Sequence, residues 1–393
     1  MPLTQTLLAR VIELRRTIHR FPELSYKEES TSALIRRELE TLNIPYRKLA
    51  TTGIRAEIKG QQEGSSKKNA TIALRADMDA LPIEEKTGLL FASENPGVMH
   101  ACGHDGHVAM LLGAAHLLHR GDFSGRVILL FQPAEEAGNG AAQVVTEGGL
   151  DQVDMIFGGH IDTHFAPGHF TVDAGLICSY ADPFIIRIHG RGGHAARPHE
   201  AIDSVVLAAN LVMNMQTLVS RQINPSHAAV VTVGKLRAGT VLNAIAEEAV
   251  LEGTIRSAHP ETRNCLIAAL QRLIQGVQDM SNAEIELEFL DGMPAVINDT
   301  QAAGLARKAA VELVGREQVG NQEAPSLGGE DFAFYQQQVP GCLVRFGAQV
   351  AGDTRGPAHS GRYDFDEKVL TYGTQWLALV ARRALDHLSG NCL

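Results

Sequence analysis

Apolar positions recur at helical spacing over residues 5–19, where Leu7, Leu8, Val11 and Leu14 share a face. They recur again over 30–42 with Leu34, Ile35, Leu39 and Leu42, and Pro45 follows as a stop. A polar Ser/Lys/Gly-rich stretch at 61–68 reads as a surface loop. From residue 71 the pattern changes. Short apolar runs at 71–74, 126–131 and 155–157 predict strands, and 107–118 predicts a helix between the first two. Such alternation predicts an α/β fold with a mostly parallel sheet covered by helices on both faces. Ligand crevices in these sheets lie beyond the carboxyl ends of the strands. Polar residues follow each run: Asp77 and Asp79 the first, Glu135 and Glu136 the second, His160 the third.

The texture shifts again near residue 183. Strands are expected at 184–188, 229–233, 249–255 and 285–289, with helices at 201–219 and 261–280. That order is ferredoxin-like and suits a small α+β domain inserted into a larger one. A chain of 393 residues exceeds what one core usually supports. The expected division is a domain of residues 1–182 and 293–393, interrupted by an inserted domain of 183–292.

Composition narrows the partners. The formal net charge of −10 argues against nucleic acid or an anionic membrane, both of which attract basic patches. The first ten residues lack a basic start followed by an unbroken apolar run, and no apolar stretch reaches the roughly 20 residues of a membrane span. The five cysteines, Cys102, Cys178, Cys265, Cys342 and Cys392, are scattered without a CxxC pair, so a reducing cytoplasm is the expected compartment.

The densest chemistry lies in Met99-His100-Ala101-Cys102-Gly103-His104-Asp105-Gly106-His107. Thiolate, imidazole and carboxylate all bind borderline cations, although helix-capping and surface histidines are the alternative. Glu135 and Glu136 follow an apolar strand, where adjacent carboxylates are costly without a nearby cation. Otherwise they form a solvated face. His160 and His359 carry the same ambiguity. Together Cys102, His104, Glu136, His160 and His359 supply five mixed ligands. That exceeds the three of a typical catalytic zinc and suits two metals sharing a bridging residue. Asp79 then fits the role of orienting a ligand histidine. A Cys102 nucleophile with His104 or His107 as base is a rival reading.

Seven ordered segments carry a resemblance: 74–83 (Leu74-Arg75-Ala76-Asp77-Met78-Asp79-Ala80-Leu81-Pro82-Ile83), His100-Ala101-Cys102-Gly103-His104-Asp105, Gln132-Pro133-Ala134-Glu135-Glu136, Gly192-Gly193-His194, Gly253-Thr254-Ile255-Arg256, Gly329-Glu330-Asp331-Phe332-Ala333 and His359-Ser360. The chain resembles the aminoacylase/carboxypeptidase di-metal metallohydrolase superfamily from about residue 10 to 370. It is most similar to the amidohydrolase branch, with its hippurate hydrolases, auxin-conjugate hydrolases and N-acetyl-diaminopimelate deacetylases.

The resemblance implies a di-metal exopeptidase-like catalytic domain with an inserted ferredoxin-like dimerisation or lid domain. It implies that Cys102 bridges two divalent ions, with His104, Glu136, His160 and His359 completing the shells and Glu135 as general base and acid. It further implies that His194 polarises the substrate carbonyl, that Asn243 and Arg256 contact the substrate's polar end, and that the chain forms a homodimer, with a tetramer as the alternative. Zinc or manganese is the expected metal, with cobalt or nickel admitted.

The implied reaction is hydrolysis of the amide bond of N-acyl amino acids. A dipeptidase or carboxypeptidase on the same scaffold is the alternative, and a non-catalytic binding protein the more distant one. Three places depart from the family pattern: Ala244 after Asn243, Gly361 after Ser360, where proline is frequent, and the segment Ile161-Asp162-Thr163-His164-Phe165. His164 is either a pocket residue or a surface histidine.

Overall fold

Strand Thr71–Asp77 is buried at every position, so both faces of the sheet around it are covered. The computed structural model describes residues 3–62, 70–352 and 355–390. Of the loop expected over 61–68, all but Gln61 and Gln62 lies outside the described residues, and so does Cys392. Two compact units emerge, one of residues 1–177, 296–324 and 331–393 and the other of 178–295 and 325–330. Each has its own apolar core.

The first unit is built on an eight-stranded sheet. Its centre is four parallel strands in the order Arg126–Gln132, Thr71–Asp77, Met155–Asp162 and Gly341–Gly347. One edge is finished by the antiparallel strands Gly53–Lys59 and Tyr46–Leu49, the other by two-residue strands at Phe170–Thr171 and Val319–Gly320. Helix His104–Leu118 is apolar nearly all round and is packed among helices Gln5–Arg20 and Val369–Leu388 and the strands. A helix with that composition has to be buried, because no face of it suits water.

The sequence pattern places the third strand at 155–157, with His160 beyond its end. The strand in fact runs to Asp162, so His160 lies within it. Gly158 and Gly159 carry no hydrophobic signal, but strand Gly341–Gly347 pairs with this length, Val344 opposite Gly159 and Arg345 opposite His160. The Phe346 ring occupies the space a Gly159 side chain would take. Partner strand and ring supply what the glycines lack.

The second unit has the order strand Tyr180–His189, helix Ser204–Gln222, strands Ala229–Ala238 and Glu248–Ser257, helix Pro260–Ser281, strand Glu284–Phe289. Its sheet is antiparallel, with the first and third of these strands, Tyr180–His189 and Glu248–Ser257, in the centre. This is the ferredoxin-like arrangement. Asp203 caps the first helix by accepting from Val205 N at 2.9 Å. Among the described residues no helix is long and apolar enough to cross a membrane.

Candidate metal centre

Parallel strands bring their carboxyl ends to one edge, and the first unit's polar side chains gather there. Gly103, at φ 94°, ends the segment that carries Cys102 and starts the helix at His104, a backbone conformation that side chains other than glycine rarely adopt. Gln132 closes its strand, and Ala134 turns the chain at φ 55° into Glu135 and Glu136. The backbone N–H of His359 donates to Ala101 O at 2.8 Å, tying its loop to the Cys102 segment.

Ligand-type atoms within 4.8 Å of one another form three relevant clusters: Cys102 with His104 and His160, Cys102 with Glu136 and His359, and His104 with Glu135 and Glu136. Cys102 is common to the first two. The Cys102 Sγ–His160 Nε2 distance is 3.4 Å, and His359 Nε2 is 3.3 Å from Glu136 Oε1. The buried start of the His-rich tract thus meets residues from three other segments.

Each imidazole's remaining nitrogen fixes which atom faces the cluster. His104 Nδ1–H donates to the Asp79 carbonyl at 2.9 Å, leaving Nε2 buried without a hydrogen-bond partner. His160 Nδ1–H donates to Ile161 O at 2.7 Å and turns Nε2 toward Cys102. A lone-pair nitrogen held inward by an outer hydrogen bond is the arrangement metal-binding histidines use. Thiolate, imidazole and carboxylate donors with an unpartnered buried nitrogen fit divalent cations.

Asp79 orients His104 mainly through its main chain. Its carboxylate, with Oδ1 3.4 Å from His104 Nδ1, also serves the glutamate turn. Oδ1 accepts from Glu135 N at 3.1 Å, and Oδ2 from Glu136 N at 3.0 Å and Ser25 Oγ at 2.7 Å. Burial works against this anion, but the His104 and Ser25 hydrogen bonds and the Glu136 N–H hold it below the usual carboxylate range. Hydrogen bonds to a charged group are each worth about 1.5–3 kcal/mol, enough to pin the glutamate turn. His359 is pushed up to about 10 by hydrogen bonding to Cys102 and then Glu136. Burial disfavours the His104 cation, yet Asp77 and Cys102 raise its affinity for a proton well above normal.

His107 lies in a further ligand-type cluster with Asp77 and His104, but both of its ring nitrogens have protein partners. Its Nε2 accepts from Ile161 N at 2.9 Å, so Nδ1 carries the proton and donates to Asp77 Oδ1 at 2.6 Å. Asp77 is in turn held by Arg75 Nη1 at 2.5 Å. Arg75 also donates to Gln132 Oε1 at 2.7 Å and to Asp331 Oδ1 at 3.0 Å. Asp331 further accepts from Ala141 N at 2.9 Å, in the first turn of helix Gly140–Thr146. It therefore caps that distant helix, whereas helix Ala333–Gln336, which it precedes, has no side-chain cap. Sequence reasoning misses this network. Its one signal is an arginine with two aspartates at the end of a fully buried strand.

His194, Asn243 and Arg256 belong to the second unit. His194 pairs with Ala244 in a two-stranded ribbon, and Ala195 N donates to Asn243 O at 3.2 Å, so His194 and Asn243 are neighbours. His194 Nδ1 accepts from Ala196 N at 3.1 Å, which leaves Nε2–H as a donor. Arg256 lies on strand Glu248–Ser257 opposite Ala181 and Val230. Burial lowers its pKa, and the Asp182 beside it is already engaged by Arg263 at 2.6 and 2.8 Å. His164 is exposed and bonded to Asp162 Oδ1 at 2.7 Å.

The model of peptidase family M20/M25/M40 matches residues 73–383, and the chain belongs to that family of hydrolases. Among its relatives is N-acetyl-L-cysteine deacetylase of Bacillus subtilis (strain 168), 40% identical over 384 residues that span 97% of this chain and 89% of the relative. Two solved structures are similar over nearly their whole length. A putative aminohydrolase from methicillin-resistant Staphylococcus aureus superimposes with a TM-score of 0.89 at 33% identity, covering 98% of this chain and 97% of the other. The Bacillus subtilis YXEP protein, described as a dinuclear metal binding peptidase, does so with 0.83 at 35% identity, covering 98% and 99%.

Proposed function

We propose that this protein hydrolyses the amide bond of small N-acyl amino acids with the help of two divalent cations. The observation that carries the reading is that Cys102 belongs to both three-residue clusters, Cys102–His104–His160 and Cys102–Glu136–His359. These residues would hold the two ions, Cys102 being shared. When bound, such ions lower the pKa of a water and polarise a carbonyl. Glu135, beside the ligands and not needed as one, takes the water's proton and returns it to the departing amine. Asp79 keeps Glu135 and Glu136 in place through their backbone N–H groups. His194 Nε2–H serves as donor to the carbonyl oxygen, and Asn243 and Arg256 contact the substrate's polar end.

Zinc suits the thiolate best, and manganese, cobalt and nickel also fit the oxygen and nitrogen donors. The second unit is read as a dimerisation or lid domain of a homodimer. The scattered cysteines Cys102, Cys178, Cys265 and Cys342, with no CxxC pair among them, suit a reducing cytoplasm. The deacetylase and the dinuclear peptidase among the similar proteins support the reaction class and the metal number.

The test is a screen of N-acetyl and N-benzoyl amino acids against free-amine dipeptides, with protein reconstituted in zinc or manganese. Cleavage of the acyl derivatives that disappears with a chelator is expected. Activity that survives proven metal removal would favour a Cys102 nucleophile. Preference for the dipeptides would make it a peptidase.

A further inference from the structure

Three imidazoles stand together at the centre, and the middle one binds nothing that a substrate or metal could displace. The His107 ring centroid is 4.8 Å from that of His160 and 5.5 Å from that of His104. Its two nitrogens are used up by Asp77 and by the N–H of Ile161. Ile161 is also the residue whose carbonyl receives the His160 Nδ1–H. His107 thus grips, through Ile161, the piece of backbone that orients His160. Asp77 holds the His107 proton at Nδ1, and Arg75 holds Asp77. The whole series is buried, with Arg75 3%, Asp77 0% and His107 2% exposed.

Resting on the two-metal reading above, we propose that Asp77 and His107 are positioning residues that set His160 against Cys102. In this arrangement the cluster of Cys102, His104 and His160 depends on a carboxylate–imidazole pair that ligates nothing itself. The tautomer is what matters. With the proton on Nε2, His107 would face the Ile161 N–H donor to donor, and strand Met155–Asp162 would have to shift where His160 leaves it. Asp77 prevents this by accepting at Nδ1. A purely apolar ring would fill the space but leave the Ile161 N–H without its acceptor before any metal arrives. Glutamine offers both an acceptor and a donor, so it can replace part of the function.

The experiment measures both metal equivalents by competition with a chromophoric chelator, in wild type, His107→Phe, His107→Gln and Asp77→Asn. Cobalt(II) spectra recorded in parallel follow the thiolate charge-transfer band. The expected result is a 10–100-fold loss of affinity for one equivalent in His107→Phe and Asp77→Asn, as is typical when an outer partner of a ligand is lost. His107→Gln should recover part of it, the second equivalent should be unchanged, and the thiolate band should persist. If His107→Phe does not fold, Asp77→Asn and His107→Gln decide the matter by the same comparison. Unchanged affinity in these variants, or equal weakening of both equivalents, overturns the proposal. A wild-type protein that binds no metal instead overturns the two-metal reading, so the two failures are distinct.

Discussion

Cys102 Sγ and His160 Nε2 lie 3.4 Å apart, although 58 residues separate them in sequence. Cys102 sits just before a helix and His160 inside a strand, and Cys102 also reaches the cluster of Glu136 and His359. If Cys102 is shared as proposed, it would anchor both ions. Cys102→Ala should therefore lose activity together with at least one metal equivalent. Alkylation of the wild-type thiol should be slow with metal and faster after chelation, because a metal-bound thiolate is masked. Mass spectrometry of the alkylated peptide reads the rates, and equal rates in both states would remove Cys102 from the centre.

Glu135→Gln keeps the side chain's volume and loses its ability to accept a proton. The kcat for an N-acyl amino acid should fall by about 10²–10⁴-fold. Metal content by emission spectrometry should stay at the wild-type level, because Glu136 is the proposed ligand of the pair. Wild-type turnover in this variant would end the assignment.

Gly140 shows how closely the glutamate turn must be placed. A Cβ there would collide with the Pro133 carbonyl, and Gly140 N donates to Ala134 O at 3.2 Å. Gly140→Ala should push Pro133 and Ala134, and with them Glu135, out of position. Misplacement on the order of 1 Å can cost about 10²-fold in rate. Steady-state kinetics should show the loss in kcat, with a circular dichroism spectrum like that of the wild type. Full activity would mean the turn tolerates the displacement.

Asp105 makes a prediction about pH. Burial opposes its charge, but Arg15 Nε at 2.8 Å and His19 Nδ1 at 2.9 Å hold it far below the usual carboxylate range. A depressed folded-state pKa contributes stability that is fully present above the unfolded value of about 3.9 and is lost as pH falls below it. Asp105→Asn leaves the buried Arg15 short of a partner and should cost about 3–5 kcal/mol at pH 7. Urea unfolding at pH 7 and pH 3 should show a smaller gap between variant and wild type at the lower pH. A gap that widens on acidification would contradict the ion-pair origin.

The chain's own pattern determined the periodic elements and the chemical character of the centre. Apolar runs with period two or near 3.6 identify the strands at 126–131 and 249–255 and the helix over 5–19, because alternation and helical spacing follow from local backbone geometry. The strand-end acids and the Cys/His tract show the donor types, and their ordered spacing carries the family resemblance.

Three decisions lay beyond it, all made by residues distant in sequence. The first is which histidine of His100, His104 and His107 faces the cluster. It depends on acceptors and donors at Asp79, Asp77 and Ile161, and each imidazole looks alike until those partners arrive. The second is that His160 stands within a strand, which required Gly341–Gly347 to pair alongside and Phe346 to cover Gly159. The third is the burial of Arg75, Asp77 and Asp331 as one network. A charge can be buried only when its partners arrive with it, and partners as far apart as Arg75 and Asp331 meet only in the folded chain.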